Sequence, residues 1–338
     1  MAEYQSSDPV DAVIMWVDGS DPAHAEKLNI YLGCKGLARL GAASKARFNH
    51  AGELDYCVTS LLKFAPWLRT IFIVTDNQRP ELLGKLEGTL FAGRVKLIDH
   101  KIIFAGYENY LPSFNSMAIS SLLWRIPDIA ENFIYFNDDF MLIRPVFPVD
   151  FFRDKHVVLR GKWHKLPESV CGARLIGWFK RKLRPKEKGR ISFWGLQQSC
   201  ARLLGFNTSY FRLPHVPHAW KKSSWERLFT EVPDALQFNI SAQLRSCNQF
   251  VPESLFAHFS YRNEIAVIDN HRTNIQLKPT AQSLWRIKWK LNRAKYKEHI
   301  VFTCVQSIEM ANPIKQKLIF DWLDETIGRL EDLSVSKT

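Results

Sequence analysis

The sequence predicts an α/β fold: a mainly parallel, Rossmann-like sheet flanked by helices, with an inserted basic and aromatic region. Short apolar runs alternate with segments of helical spacing between residues 10 and 136, a pattern typical of βαβ units. Each run ends in a polar loop, and in a parallel sheet these loops lie along one edge. The length of 338 residues suits one large domain with insertions or two domains that share a cleft.

The spacing of the apolar residues predicts where each strand and helix lies. We expect strands over residues 10–17, 70–75, 95–99 and 132–136. We expect helices over residues 22–32, 52–64, 80–86, 116–125 and 313–330, and one that follows the segment 215–218 and ends at 229. A change of composition near residue 150 predicts three parts: an α/β core over 1–150, an inserted region over 151–212, and a C-terminal segment over 213–338.

The net charge of +12 indicates anionic partners. Residues 174–190 carry eight Lys or Arg and one Glu, and residues 281–299 are also basic, with Trp285 and Trp289 among the cations. Such stretches are typical of proteins that lie on anionic lipid, although an ordinary solvated helix face has the same composition. We expect peripheral contact with an anionic membrane. RNA-recognition, helix-turn-helix and zinc-finger signatures are absent, so we expect no nucleic-acid partner.

The same sequence predicts where the protein works. No window approaches eighteen consecutive apolar residues, so no membrane-spanning helix is expected. Residues 1–9 are polar and lack the apolar region of a signal peptide, which predicts a cytoplasmic protein, with peripheral attachment at the inner membrane face. The six cysteines are scattered without a Cys-x-x-Cys pair, so we expect free thiols.

Two adjacent carboxylates follow the apolar run that begins at Phe133. Asn137 ends this run, and Asp138 and Asp139 come directly after it. Adjacent acids repel each other and are costly to desolvate, so a strand end that carries them commonly holds a cation. We therefore expect a Mg²⁺ or Mn²⁺ site at this edge of the sheet, with a solvated turn of a hairpin as the alternative.

Four segments of the chain form a further pattern. The first is Trp16-Val17-Asp18-Gly19-Ser20-Asp21-Pro22 with the strand before it. The second runs from Arg47-Phe48 through Gly52-Glu53-Leu54-Asp55-Tyr56, Ala65-Pro66-Trp67 and Leu111-Pro112-Ser113-Phe114-Asn115 to Asn137-Asp138-Asp139. The third is His215-Val216-Pro217-His218 with Arg245 downstream, and the fourth is Phe302-Thr303-Cys304-Val305. Together they resemble the Stealth family of sugar-1-phosphate transferases, closely over 10–150, moderately over 212–250 and weakly over 300–325.

The resemblance implies a nucleotide-diphospho-sugar transferase-like fold and a specific reaction. A hexose-1-phosphate would pass from a nucleotide sugar to an acceptor hydroxyl of a capsular or cell-surface polysaccharide. The product would be a phosphodiester, and UMP would leave when the donor is a UDP-sugar. This chemistry needs a divalent cation for the diphosphate, a base for the hydroxyl, and a cation for the developing charge.

The resemblance also implies catalytic roles. Asp138 and Asp139 match the acidic pair of the family and would hold the metal, with Asp139 also acting directly in catalysis. His215 and His218 match its His-x-Pro-His segment; one would be the general base, and the other could be a structural histidine. Arg245 matches a downstream arginine suited to gripping phosphate oxygens.

Six further residues are candidates for substrate binding. Asp18 and Gly19 would face the nucleotide, where Gly19 permits close backbone approach, although Asp18 could instead cap the next helix. Arg47 matches a family arginine and would bind phosphate. Trp16 could stack on a base or, like Trp67, be a core aromatic. The remaining candidates are Asn115 and Asn137.

The chain departs from the family pattern at three places. An acidic residue of the helix before the Asn-Asp-Asp strand is Ser120 here, an Arg-Asp pair is Asn49-His50, and an Asn-Asp pair is Gln306-Ser307. Two other functions stay open, the first because it would use a similar acidic strand end and the second because of these departures. One is a metal-dependent glycosyltransferase that releases UDP, and the other is a non-catalytic family member that binds sugar or membrane.

Overall fold

The computed structural model describes residues 8–36, 51–169, 193–246 and 249–335. Its strands are β1 (Val10–Met15), β2 (Ile71–Thr75), β3 (Val95–Asp99), β4 (Asn132–Asn137), β5 (Phe140–Leu142), β6 (Phe152–Arg153), β7 (His156–Leu159), β8 (Lys162–Lys165), β9 (Ser209–Arg212), β10 (His218–Lys221), β11 (Ala266–Ile268), β12 (Thr273–Leu277) and β13 (Ile300–Val305). Its helices are α1 (Pro22–Cys34), α2 (Glu53–Phe64), α3 (Leu82–Leu86), α4 (His100–Ile103), α5 (Ser116–Ser120), α6 (Phe193–Leu203), α7 (Lys222–Glu231), α8 (Pro233–Ile240), α9 (Pro252–Arg262), α10 (Leu284–Tyr296), α11 (Pro313–Thr326) and α12 (Leu330–Val335).

The central sheet has five strands in the order β10-β4-β1-β2-β3. Strands β1 to β4 run parallel, and β10 pairs with the edge of β4 in the antiparallel direction. The predicted α/β fold with a mainly parallel, Rossmann-like sheet is therefore confirmed. Because β2 lies on one side of β1 and β4 on the other, the strand order reverses at β1. Open α/β sheets bind ligands at such a point, beyond the carboxyl ends of the strands.

Strand β1 is buried along its whole length, and its one charged residue is Asp11. The Asp11 carboxylate accepts hydrogen bonds from Arg69 Nε at 2.9 Å, from Thr70 N at 3.1 Å and from Ala130 N at 2.7 Å. These donors precede β2 and β4, so one carboxylate joins the starts of three neighbouring strands. A buried charge with this many partners is tolerated because its hydrogen-bonding capacity is satisfied.

A smaller sheet, β12-β13-β5, supports the carboxyl edge of the central sheet. Strand β5 begins directly after Asp139, and its Phe140 pairs with Cys304 of β13. The main hydrophobic core includes residues from Val10 to Leu330 and so draws on both ends of the chain. The division into parts over 1–150, 151–212 and 213–338 stays a prediction.

Two predicted helices differ in the structure. The helix expected over 116–125 ends at Ser120 and is followed by a 3₁₀ turn at Leu123–Arg125, because the bonding changes to i−3 where Leu122 N donates to Ile119 O at 3.0 Å. The segment expected to lead into a helix at 215–229 first forms β10. This strand covers the edge of β4, and Trp220 stacks on Tyr135 with ring centroids 4.7 Å apart.

Other expectations agree with the structure or lie beyond it. The cysteines within the described residues are free thiols. In the same part of the chain, no helix has the length and apolar character needed to cross a bilayer. Arg47, the Asn49-His50 departure and the basic stretch 174–190 lie outside the described residues.

Candidate active site

The exit loops of β1 and β2 are joined by the side chain of Gln78. Its oxygen accepts from Asp18 N at 2.9 Å, and its nitrogen donates to Asp18 O and to Asp21 Oδ2, each at 2.8 Å. The predicted gathering of polar loops at one sheet edge is confirmed. Gln78 was not among the predicted site residues, because a glutamine in an exit loop has no chemical signature of its own.

Asp18 and Gly19 lie in this first loop, at the crevice between β1 and β4. Asp18 Oδ1 accepts from Ser20 N at 2.8 Å and from Ser20 Oγ at 2.6 Å. The alternative role of Asp18 as a helix cap falls to Asp21, whose carboxylate accepts from Ala23 N at the start of α1. Contact of Asp18 and Gly19 with a nucleotide stays a prediction.

Asp138 and Asp139 stand at the end of β4, half-buried at the sheet edge. The main-chain oxygen of Asp139 accepts from Val305 N at 3.0 Å, and its Oδ2 lies 3.4 Å from Cys304 Sγ. Burial raises the pKa of Asp138 well above its usual range, and the negative charges of Asp139 and Glu53 add to the effect. Burial also raises the pKa of Asp139 to about 7, although the Cys304 thiol opposes the rise.

Two further carboxylates act on this pair. Glu53, in the first turn of α2, is only 6% exposed and raises the pKa of both aspartates. Glu309, in the turn after β13, raises the pKa of Asp139, and its Oε1 is buried without a hydrogen-bond partner among the described residues. Carboxylates crowded in this way favour a cation between them.

The site suits a cation that is bound partly by protein side chains and partly by oxygens of the substrate. Within the described ranges, no three or more His, Cys, Asp and Glu side chains already surround a common point. Mg²⁺ is commonly bound by one or two carboxylates together with substrate phosphates and water. Asp138 and Asp139, with the orphaned Glu309 oxygen nearby, suit that mode and not an all-protein cage.

Strand β10 brings both predicted histidines to the same edge. His218 pairs with Tyr135 across the strands, and their rings are parallel within 18° at 6.5 Å. His215 stacks on Phe193 at 5.2 Å and meets the edge of Phe140, the residue after Asp139. Two of the segments that were expected to act together are therefore adjacent in space.

Both imidazoles are neutral at pH 7. Burial lowers the pKa of His215 to about 4, and the positive charge of Lys278 lowers it further. Burial lowers the pKa of His218 to about 3, with smaller effects of His215 and of the buried Arg160. A neutral imidazole can accept a proton from a hydroxyl.

Asn137 directly precedes the aspartates and contacts Tyr135, the side chain on which His218 stacks. Its side-chain oxygen accepts from the hydroxyl of Tyr135 at 2.5 Å. Side chains alternate along a strand, so Asn137 and Tyr135 share the face of β4 that His218 covers. The predicted substrate contact of Asn137 stays a prediction, and its position beside both groups agrees with it.

Arg245 lies in the chain after α8, where its guanidinium donates to Ser116 Oγ and its charge acts to lower the pKa of Tyr135 in β4. The carboxylate of Glu253, at the start of α9, lies close enough for the Arg245 charge to lower its pKa, yet burial raises that pKa to about 6. Glu253 has no sequence signal, because nothing in a Pro-Glu helix start distinguishes a buried carboxylate from an exposed one.

Asn115 differs from expectation. It is fully buried, its amide donates to Ala242 O at 2.6 Å and to Gln249 Oε1 at 2.9 Å, and its oxygen caps α5. With these partners Asn115 holds the segment that carries Arg245 and does not reach the open edge.

The tryptophans and the departures from the family pattern are also placed. Trp16 is 7% exposed within the main core, in line with its alternative interpretation as a core aromatic. Trp67 packs on the same core and donates to Val146 O at 2.7 Å. Ser120 is buried in α5, and Gln306 accepts from Gln276 Nε2 at 3.0 Å.

Two parts of this chain match conserved regions of a known family. The family model described as Stealth protein conserved region 1 matches residues 8–34, and the model for conserved region 2 matches residues 47–159. The chain belongs to the Stealth family. The two matched regions contain β1, β2 and β4 with their exit loops, and therefore the Asp138–Asp139 side of the candidate site.

Named relatives agree with this assignment. The Stealth chain is 42% identical over 145 residues to a capsular polysaccharide phosphotransferase of Actinobacillus pleuropneumoniae, covering 43% of this chain and 38% of the relative. It is 44% identical over 260 residues to an exopolysaccharide phosphotransferase of Streptomyces coelicolor, covering 74% of this chain and 42% of the relative. The matched segments thus span well under half of either relative's length.

A solved structure of galactosyltransferase LgtC, in complex with donor and acceptor sugar analogues, also aligns with the Stealth chain. The alignment covers 93% of this chain and 96% of that one, at 10% identity and a TM-score of 0.43. A likeness of this size carries no argument about function.

Proposed function

We propose that this Stealth protein is a sugar-1-phosphate transferase. It would move a hexose-1-phosphate, for example N-acetylhexosamine-1-phosphate, from a nucleotide-diphosphate sugar to a hydroxyl of a capsular or cell-surface polysaccharide. The observation that carries the proposal is that the charges of Arg245, Asp138 and Asp139 all act on the pKa of Tyr135, the side chain on which His218 stacks. The relatives named as capsular and exopolysaccharide phosphotransferases support it.

The proposed reaction is a nucleophilic substitution at phosphorus. The acceptor oxygen attacks the phosphorus that bears the sugar, and a new O–P bond forms. The bond from that phosphorus to the oxygen bridging the two phosphates breaks, and the nucleoside monophosphate leaves. The acceptor proton passes to a histidine. We assign this base to His215, because it is less deeply buried than His218 and its pKa of about 4 leaves it neutral at pH 7.

The charges of the donor need two kinds of partner. Asp138 and Asp139 would hold Mg²⁺ or Mn²⁺, which when bound neutralises the diphosphate. Arg245 would bind the oxygens of the transferred phosphate, where charge develops during the reaction. Asp18 and Gly19 would face the nucleotide from the exit loop of β1.

The proposed location is the cytoplasmic face of the inner membrane. The net charge of +12 and the basic stretch over 281–299 support contact with an anionic surface. The acceptor would then be a glycan that grows at that surface.

The proposal is tested by identifying the chemical bond that joins the transferred group to the acceptor. The full chain is incubated with a panel of nucleotide sugars, Mg²⁺ and a glycan acceptor, and the product is examined by ³¹P NMR. A diester phosphorus signal on the glycan is expected, which EDTA abolishes and added Mg²⁺ restores. The matched control is Asp321→Asn, which removes an exposed carboxylate paired with Lys317 and keeps activity. Magnesium-dependent binding of a nucleotide sugar without any diester would instead indicate a non-catalytic member.

A further inference from the structure

The outward face of α10 differs from an ordinary solvated helix face. Residues Leu284–Tyr296 include five Lys or Arg and no acidic residue. Ile287, Leu291 and Ala294 are buried against the rest of the protein. Three aromatic side chains on this helix are instead exposed: Trp285 at 75%, Trp289 at 49% and Tyr296 at 70%.

The exposed aromatics form one stripe. An α-helix turns about 100° per residue, so residues 285, 289 and 296 lie within about 40° of one another, on the side opposite the buried residues. On the same projection Arg286 and Arg293 flank one border of the stripe, and Lys288 and Lys295 flank the other. The Arg293 guanidinium lies 5.7 Å from the centre of the Trp289 ring. The face is therefore an aromatic ridge between two rows of cations.

Two more exposed apolar side chains lie near the start of α10. Met310 is 57% exposed and Ile314 is 68% exposed. The next residue, Lys315, donates to Pro279 O at 2.8 Å and to Gln282 O at 2.7 Å, which ties the start of α11 to the loop leading into α10. The start of α11 therefore lies beside the loop that leads into α10.

We propose that the outward face of α10 docks on an anionic phospholipid bilayer. Tryptophan and tyrosine favour the headgroup level of a membrane, where the ring is partly buried and its polar atom stays in contact with water. Arg286, Lys288 and Arg293 gain from the negative surface potential, whereas Lys295 already pairs with Glu325 at 3.2 Å. The complete lack of acidic residues on α10 is the charge complementarity that selects an anionic lipid surface as the occupant.

The docking face lies close to the candidate active site. Lys290 of α10 donates to Gln276 O in β12, and Asn274 of the same strand donates to His215 O at 2.9 Å. A bilayer against α10 would therefore be separated from the proposed base by this helix and by β12. This placement suits an acceptor held at the membrane, a consequence that rests on the proposed function, whereas the docking itself does not.

The test is co-sedimentation of the full chain with vesicles of phosphatidylcholine, with and without phosphatidylglycerol. We expect binding only to the anionic vesicles and release at high salt. Lys288→Gln with Arg293→Gln should weaken the partition coefficient about fivefold for each cation removed. Trp285→Ala with Trp289→Ala should weaken it at least about tenfold. The matched control is Leu90→Ala with Phe238→Ala, which removes exposed apolar side chains elsewhere and keeps binding.

The possible results distinguish docking on lipid from the alternatives. Unchanged vesicle binding in both α10 variants, or equal binding to neutral vesicles, would overturn it. Loss of glycan binding in the tryptophan variant with vesicle binding intact would show that the face holds a glycan and not lipid. Transfer to a water-soluble acceptor should be unchanged in the tryptophan variant. A wild-type chain that binds vesicles but makes no phosphodiester would contradict the proposed function alone.

Discussion

The thiol of Cys304 lies 3.4 Å from Oδ2 of Asp139, and the next main-chain nitrogen, that of Val305, donates to Asp139 O. A strand from the far end of the chain thus anchors the central carboxylate of the site. A thiol is a weak donor, so it compensates little of the charge on Asp139. The carboxylate is held in place while its charge stays costly, which is the state that a cation would relieve.

Asp139→Asn should abolish transfer and stabilise the protein. We expect kcat to fall at least about 100-fold, because the proposed cation loses a ligand. The pKa of Asp139 is about 7 in the folded chain, against about 3.9 for an unperturbed aspartate. The folded state therefore binds this proton more tightly, and stability falls as pH rises through that interval. In metal-free buffer the variant should therefore unfold at a higher temperature than wild type at pH 8, by at least about 2 °C.

Calorimetry at two pH values checks this prediction. At pH 4 the two proteins should unfold at nearly the same temperature, because Asp139 is then protonated in the folded wild type. Near-normal turnover in the variant would remove the aspartate pair from the mechanism. A lower unfolding temperature at pH 8 would show that the charge of Asp139 is already compensated.

The pH dependence of kcat/KM should report the aspartate and not the histidines. As pH falls through about 7 Asp139 gains a proton, whereas the pKa of His215, about 4, keeps that imidazole neutral down to much lower pH. We expect an acid limb near pH 7 at low Mg²⁺. Raising the Mg²⁺ concentration should move the limb to lower pH, because the cation competes with the proton. An acid limb that does not respond to Mg²⁺ would argue against a metal at Asp139.

His215 and His218 should separate in mutant kinetics. His215→Ala should lower kcat by about 10²- to 10⁴-fold, the usual contribution of a general base, with little change in KM. His218→Ala should act mainly on stability, because its ring packs on Tyr135 at the sheet edge. Steady-state kinetics with thermal unfolding of each variant makes the comparison. A larger kcat loss for His218→Ala would transfer the base to that residue.

Asp11 should matter for folding and not for chemistry. Its carboxylate is fully buried, pairs with Arg69 and accepts main-chain bonds from Thr70 and Ala130. The partner guanidinium of Arg69 is partly exposed, but Asp11→Ala leaves the buried main-chain donors of Thr70 and Ala130 without an acceptor, so the free energy of unfolding should fall by at least about 2 kcal/mol. Denaturant unfolding measures this. Asp321→Ala, at an exposed ion pair, is the control and should change the value by less than about 1 kcal/mol.

The local sequence pattern was enough to predict the parallel strands of the central sheet. The continuous apolar runs predicted β1 to β4, and the parallel arrangement placed their polar exits on one edge, because direction and edge follow from βαβ order. The local pattern did not predict β10, because the four residues of this strand run into the following helix without a change of composition. That strand exists because the edge of β4 needs a partner, which is a property of the assembled sheet.

Some residues of the candidate site could likewise be predicted from the sequence, and others could not. Asp138, Asp139 and the histidines carry chemistry that is visible in the sequence, and the structure brings them together. Glu53 and Glu309 were not assigned roles, because their effect on Asp139 depends on how α2 and the turn after β13 pack at the sheet edge. Asn115 was assigned to substrate, since a sequence does not reveal that Gln249 and Ala242 will occupy its amide.

The most direct measurement is the nucleotide released during turnover. The purified chain is given a UDP-sugar donor, Mg²⁺ and a glycan acceptor, and the products are separated by ion-exchange chromatography. Release of UMP in proportion to sugar transferred is the predicted result, because attack occurs at the phosphorus that bears the sugar. Release of UDP would place the attack at the anomeric carbon, and the chain would be a glycosyltransferase.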